Sequence, residues 1–101
     1  MNMIKIAETD EEVRKCFLVM AELRPHFTSE DEFYNQVKRQ MTQSNFRLVY
    51  LEENDVKAVG GIRIAEWLGG GKYLEIEDLV VLENERSKGF GGKIFDWIVD
   101  Y

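Results

Sequence analysis

Cysteine, histidine and proline are each present once in 101 residues, as Cys16, His26 and Pro25. A lone cysteine closes no internal disulfide, which fits a reducing cytoplasm. One histidine and one cysteine do not make a metal site, so no metal is expected. The chain shows no repeats, low-complexity tract or linker. Positive charge is also scarce: 13 Lys and Arg stand against 19 Asp and Glu, for a net charge of −6. That balance argues against a nucleic-acid partner and fits either a cationic or amine partner or a role in solubility. No apolar run approaches the length that spans a bilayer, and the N-terminus does not read as a signal peptide, so no membrane partner is expected.

What is present is an ordinary globular composition, 45% apolar and 32% charged, which excludes a disordered chain. The length allows one domain, residues 1–101, with a modest buried fraction. Residues 3–7 alternate as a short strand. Thr9-Asp-Glu-Glu12 is a capping box, and the helix it opens carries Val13, Cys16, Phe17, Met20 and Leu23 on one face. Pro25 ends it. Ser29-Glu-Asp-Glu32 is a second capping box, opening a helix with a stripe of Phe33, Val37 and Met41. Three strands follow, over residues 45–51, 56–67 and 73–82, joined by short polar or glycine-rich turns. Phe46, Leu48 and Tyr50 share one face of the first of these. The pair Gly60-Gly61 inside the second marks a bulge or a close backbone approach. Trp67 and Trp97 read as core or interface aromatics. The predicted order is β-α-α-β-β-β-α, an α+β fold with an antiparallel meander flanked by helices.

The chain is organised around residues 79–92. An apolar strand end, Leu79-Val80-Val81, runs through a polar turn into Arg86-Ser-Lys-Gly89-Phe-Gly91-Gly92. A helical pattern follows, with Ile94, Trp97, Ile98 and Tyr101 on one side. Amides at a helix start have no intrahelical acceptor and carry the positive end of the dipole, so a glycine-rich start is a seat for phosphate. Neither Gly71-Lys72-Tyr73 nor Gly92-Lys93-Ile94 completes a P-loop. Ile94 stands where a dinucleotide fingerprint needs its third glycine.

Arg-x-x-Gly-x-Gly after such a strand, together with the element order, resembles the acetyl-CoA loop of the GNAT (Gcn5-related) N-acetyltransferases. The resemblance covers the whole chain and implies an acetyl-CoA-dependent transferase acting on a primary amine. It also implies that the later strands and helix of the fold are missing, roughly 40 to 50 residues by ordinary domain size. The chain then reads as a truncated product, a fragment or a naturally short relative. A non-catalytic CoA-binding or self-associating module is the alternative. An uncovered edge at the last strand implies a homodimer or swapped oligomer.

Carried over residue by residue, the resemblance assigns pantetheine contacts to Leu79, Val80 and Val81, with the Val81 N–H near the thioester carbonyl. Pyrophosphate contacts fall to Arg86, Ser87, Lys88, Gly89, Phe90, Gly91 and Gly92. Glu83 departs from the proline common at its position, which bears on the rigidity of the turn. Glu75 and, second, Glu77 are the expected catalytic bases. Strand period puts them on one face and Asp78 on the other, and a half-buried Glu75 would have a raised pKa. None of Tyr34, Tyr50, Tyr73 or Tyr101 matches the family's acid motif. His26 lies in the segment that borders the acceptor site in the family.

Overall fold

The computed structural model describes residues 2–101. Strand β1 (Met3–Ile6) is followed by helices α1 (Asp10–Arg14), α2 (Phe17–Leu23) and α3 (Glu30–Gln43). Strands β2 (Phe46–Glu53), β3 (Asp55–Trp67) and β4 (Gly71–Val81) come next, then a 3-10 turn at Glu83–Glu85 and helix α4 (Phe90–Asp100). The four strands form one sheet in the order β1-β2-β3-β4, every neighbouring pair antiparallel. This is the expected α+β architecture, built from the meander β2–β4.

Strand alternation explains the two layers. Phe46, Leu48 and Tyr50 of β2 face one way and pack with Val13, Val19, Met20, Phe33 and Val37 of the first three helices. Val49 and Leu51, one residue out of phase, face the other way and pack with Phe90, Ile94 and Ile98 of α4. The spacing 90, 94, 98 is one stripe of a helix. The sheet therefore separates two cores, one under α1–α3 and one under α4.

The glycine pair in β3 is the thin point between them. A Cβ on Gly60 would lie 3.3 Å from Ile98 Cδ1 and 3.4 Å from Ile94 Cγ2. A Cβ on Gly61 would lie 3.0 Å from the Phe46 ring. Both glycines are thus close-approach positions, and the strand pairing is also irregular beside them. Gly61 pairs with Asp78 and Ile62 with Ile76, so Glu77 has no partner on β3 and forms a bulge in β4.

Three local expectations need correction. The first long helix is two helices: the Cys16 N–H donates to the Val13 carbonyl at 3.1 Å, a 3-10 bond that tightens the chain and breaks the α-helical ladder. Trp67 is not core. It is 62% exposed near the tip of the β3–β4 hairpin, edge-on to Tyr73. Glu77 and Asp78 do not lie on opposite faces, because the bulge shifts the alternation by one residue.

The Thr9 capping box forms as read, with the Glu12 N–H on Thr9 Oγ1 at 3.1 Å and the Thr9 N–H on Glu12 Oε1 at 3.0 Å. Glu12 also joins β1 and β2: its carboxylate lies 2.5 Å from Lys5 Nζ and accepts from the Tyr50 hydroxyl at 3.0 Å. The Lys5 ammonium first, then the amides of Thr9 and Glu8, hold its carboxyl far below the ordinary 4.5. A carboxyl depressed in the folded state stabilises fully above its unfolded value and loses that contribution as pH falls. Urea midpoints should therefore drop from neutral into acid pH, and drop less steeply in Glu12→Gln. Parallel acid limbs for the two proteins would contradict the assignment.

Candidate active site

The site is built on β4, the edge strand of the sheet. The Leu82 N–H donates to the Lys57 carbonyl at 2.9 Å. Ladder parity then turns the polar groups of Val80 toward β3 and those of Leu79 and Val81 toward the free edge. The Val80 side chain is buried in the core under α1–α3, so Val80 offers the edge neither backbone nor side chain. Of these three, Leu79 and Val81 present main-chain groups there. Arg86 reaches the same edge, its Nε donating to the Val81 carbonyl at 3.3 Å.

The chain leaves β4 through the 3-10 turn. The Glu83 N–H donates to Glu22 of α2 at 2.9 Å, a bond that proline could not make. Glu85 accepts from Lys57 at 3.4 Å and from Lys88 at 2.5 Å. Those two cations, Lys88 first, lower the Glu85 carboxyl. Lys88 thus spends its ammonium on the turn that carries the loop. Ser87 and Gly89 have φ of 78° and 83°, a region that glycine enters freely and serine does not. The N–H groups of Ser87 and of residues 89–92 have no acceptor among the described residues, the turn at residues 86–87 being closed by the Lys88 N–H, and the first helical bond runs from the Lys93 N–H to the Gly89 carbonyl. Gly89 and Gly92 are exposed and Gly91 half-buried. A Cβ on Gly91 would lie 3.3 Å from Val81 Cγ2, so the first turn of α4 rests against the end of β4. The Phe90 side chain is buried under the sheet and anchors the helix, leaving only its amide on the surface.

On the α1–α3 side of β4 is an open cavity of about 170 Å³. Phe27, Phe33 and Phe46 form its apolar part, and Arg24, His26, Gln36, Gln40, Glu77 and Asp78 its polar part. Glu77 is held by Arg63 through two bonds, Nε at 2.6 Å and Nη2 at 3.1 Å, while Arg63 Nη1 donates to the Ser44 carbonyl at 3.0 Å. The Arg63 guanidinium lowers the Glu77 carboxyl. Asp78 accepts from Arg24.

Glu75 is exposed, not half-buried against an apolar wall, because the far half of β4 carries no covering layer on that face. The two expected bases therefore differ: Glu77 is locked to a cation, and Glu75 makes no ion pair among the described residues. Among those residues no three His, Cys, Asp or Glu side chains gather into a metal-holding group.

Sequence reasoning did not foresee the Arg24–Asp78 and Arg63–Glu77 pairs, which join residues far apart in the chain. Only Gly60-Gly61 hinted at the bulge that brings both carboxylates to the cavity.

A family model described as Acetyltransferase (GNAT) family matches residues 7–101. No curated protein matches the sequence. Among solved structures, a ribosomal-protein-alanine N-acetyltransferase from Brucella melitensis biovar Abortus 2308 is similar at TM-score 0.83 and 10% identity, covering 99% of this chain and 70% of that one. The glucosamine-6-phosphate N-acetyltransferase of Arabidopsis thaliana is similar at TM-score 0.69 and 24% identity, covering 97% and 73%. An acetyltransferase from Clostridium acetobutylicum, solved with acetyl-CoA, is similar at TM-score 0.67 and 16% identity, covering 99% and 72%. At these identities the likeness speaks for the fold.

The locked Glu77 is directly measurable. In a carboxyl NMR titration Glu77 should titrate below an ordinary glutamate, and Arg63→Gln should move it back up. A Glu77 that ignores Arg63→Gln would show that the two-bond pair does not form in solution.

Proposed function

This chain belongs to the acetyltransferase (GNAT) family, and from that premise we propose that it moves an acetyl group from acetyl-CoA to a primary amine. The observation that carries the proposal is the run of unpartnered amides from Gly89 to Gly92, with that of Ser87, beside the outward-facing main chain of Leu79 and Val81. A diphosphate fits the first and an extended pantetheine arm, pairing as an added strand would, fits the second. Gly91, resting on Val81, keeps the two parts adjacent.

Bound acetyl-CoA would supply a thioester carbonyl for attack. The amine nitrogen bonds to the acetyl carbon, the C–S bond breaks, the nitrogen gives up a proton and the CoA thiolate takes one. The Leu79 N–H, on the same free edge and nearer to Glu75 than the Val81 N–H, is the donor suited to the carbonyl oxygen. Glu75, which makes no ion pair among the described residues, is our choice to receive the amine proton, through water because it lies outside the cavity lining, while Glu77 stays bound to Arg63. The acceptor would enter from the cavity under α2 and α3. Arg86 has to release the Val81 carbonyl if the arm is to pair there. We place the protein in a reducing cytoplasm, where the buried Cys16 stays a thiol.

A second reading rests on the same edge. Leu74, Ile76 and Leu79 of β4 are each partly exposed, and an unpaired apolar edge favours pairing with a second copy about a two-fold axis. We propose that the free chain is a homodimer through β4. Because the groups of Leu79 and Val81 can serve one partner at a time, CoA should shift the dimer toward monomer. Light scattering that gives the mass of one chain at every concentration, with or without CoA, would refute this.

Gly92 separates folding from cofactor binding. A Cβ there meets nothing within 4 Å, and the position is the third residue of α4. Gly92→Glu should keep or raise stability, since a carboxylate near a helix start is worth about 0.3–1 kcal/mol. The same charge should weaken CoA binding by calorimetry by roughly tenfold or more through repulsion of the diphosphate. Unchanged affinity in a folded Gly92→Glu protein would remove the phosphate seat. If the chain transfers acetyl, Glu75→Gln should lower kcat while leaving CoA affinity intact, and equal turnover across pH would discharge Glu75 from its role.

A further inference from the structure

The cavity under α2 and α3 has a charge arrangement that selects among amines. It contains two carboxylates, Glu77 and Asp78, and neither is free. Glu77 is bound by two nitrogens of Arg63, which is itself fixed to the Ser44 carbonyl. Asp78 is bound differently. A single nitrogen of Arg24 touches a single oxygen of Asp78. Arg24 makes no other side-chain bond among the described residues. Its side chain is 47% exposed, whereas that of Asp78 is 15% exposed. Arg24 caps the C-terminal end of α2 just before Pro25 and His26. A half-exposed cation with one contact thus covers a mostly buried anion.

Each carboxylate therefore already has its cation, and the pocket has no net negative charge to offer a bare cation. A polyamine or a simple amine that reached Asp78 would have to displace Arg24 and leave the guanidinium unpaired. A molecule that carries both an amine and an anionic group meets no such penalty. Its amine takes Asp78 while its own anion receives Arg24, so one ion pair is exchanged for two. Guanidinium also favours carboxylate and phosphate oxygens, which it can hold with two parallel bonds. The amide side chains of Gln36 and Gln40, bonded to each other at 3.1 Å on the opposite wall, keep further donors and acceptors for hydroxyl or carbonyl groups.

We infer that the acceptor is amphoteric: a small primary amine bearing its own carboxylate or phosphate, with the amine at Asp78 and the anion on Arg24. The inference rests on the acetyl-transfer reading for the word acceptor, and the pocket's binding preference is measured without CoA. The chain's overall charge of −6 would by itself have pointed to polycations. The local pairing reverses that choice.

The test is calorimetry on the full chain with two matched pairs of probes. Lysine and cadaverine differ by one carboxylate, and glucosamine 6-phosphate and glucosamine by one phosphate. In at least one pair the anion-bearing member should bind about tenfold tighter or more, and the pair that discriminates tells carboxylate from phosphate. Arg24→Ala should abolish the preference while leaving the anion-free member bound equally or more tightly, because Asp78 is then unmasked. Arg24→Gln serves the same purpose if the alanine variant does not fold. Asp78→Asn should weaken every amine that binds. Equal or tighter binding of the anion-free members to wild type, no binding by any of the four, or a preference that survives loss of Arg24 would each overturn the inference. A separate CoA titration distinguishes the failures. CoA binding without the preference sinks this inference alone, and the preference without CoA binding sinks acetyl transfer but keeps the amphoteric pocket.

Discussion

Two hydrogen atoms where side chains would otherwise be set the geometry of the site. At Gly60, α4 comes close enough that a methyl group would press on Ile94 and Ile98. At Gly61, on the opposite face, the Phe46 ring does the same. The middle of β3 is therefore squeezed from both sides. The first contact fixes the height and angle of α4 and so brings its opening turn against Val81. The second places the floor of the helix-side cavity next to Asp78. A larger residue at either position would push apart the surfaces that form the site, at the few kcal/mol that overpacking costs.

The bulge in β4 belongs to the same constraint. Glu77 loses its partner opposite the Gly61–Ile62 step, and the chain regains register at Asp78. Without the extra residue, Glu77 and Asp78 would project from opposite faces. With it, both carboxylates reach the cavity while Leu79 and Val81 keep their main-chain groups on the free edge. One strand thus presents acidic side chains to one face and bare amides and carbonyls to the edge. Division of this kind suits a reaction in which an amine and an extended acyl carrier meet across a strand. Each carboxylate is neutralised by an arginine, but the two pairs differ in kind. The Arg63 pair is two-pronged and backed by the backbone, whereas the Arg24 pair is single and half in water. The first holds shape and the second is free to exchange.

Much of this was legible in the sequence because it is local. Thr9 with Glu12, and Ser29 with Glu32, announce helix starts through contacts that span three residues; the first forms the full reciprocal box, whereas at the second only the Ser29 hydroxyl accepts from the Glu32 N–H and the return bond from the Glu32 side chain is absent. Alternation in β2 sorts Phe46, Leu48 and Tyr50 from Val49 and Leu51 without knowledge of the partners. Glycines at 89, 91 and 92 signal a helix start with little side-chain cover. What sequence could not supply was set by contacts between distant segments. The break at Cys16 has no Gly or Pro beside it to signal it in the sequence. The ion pairs of Arg24 with Asp78 and Arg63 with Glu77 span 54 and 14 residues. Period-two counting failed at Glu77 because a bulge is a property of two strands, not of one. Trp67 misled because its size suggests burial, whereas a long hairpin carries it beyond both cores.

On the proposed reading, peptide amides rather than charged side chains form the diphosphate seat. Amide NMR during a CoA titration addresses it residue by residue. The account predicts saturable shifts concentrated in the N–H resonances of Ser87, of Gly89 to Gly92, and of Leu79 and Val81, with the cores under both layers unmoved. Shifts confined to other surfaces, or none at these seven amides at saturating CoA, would contradict it.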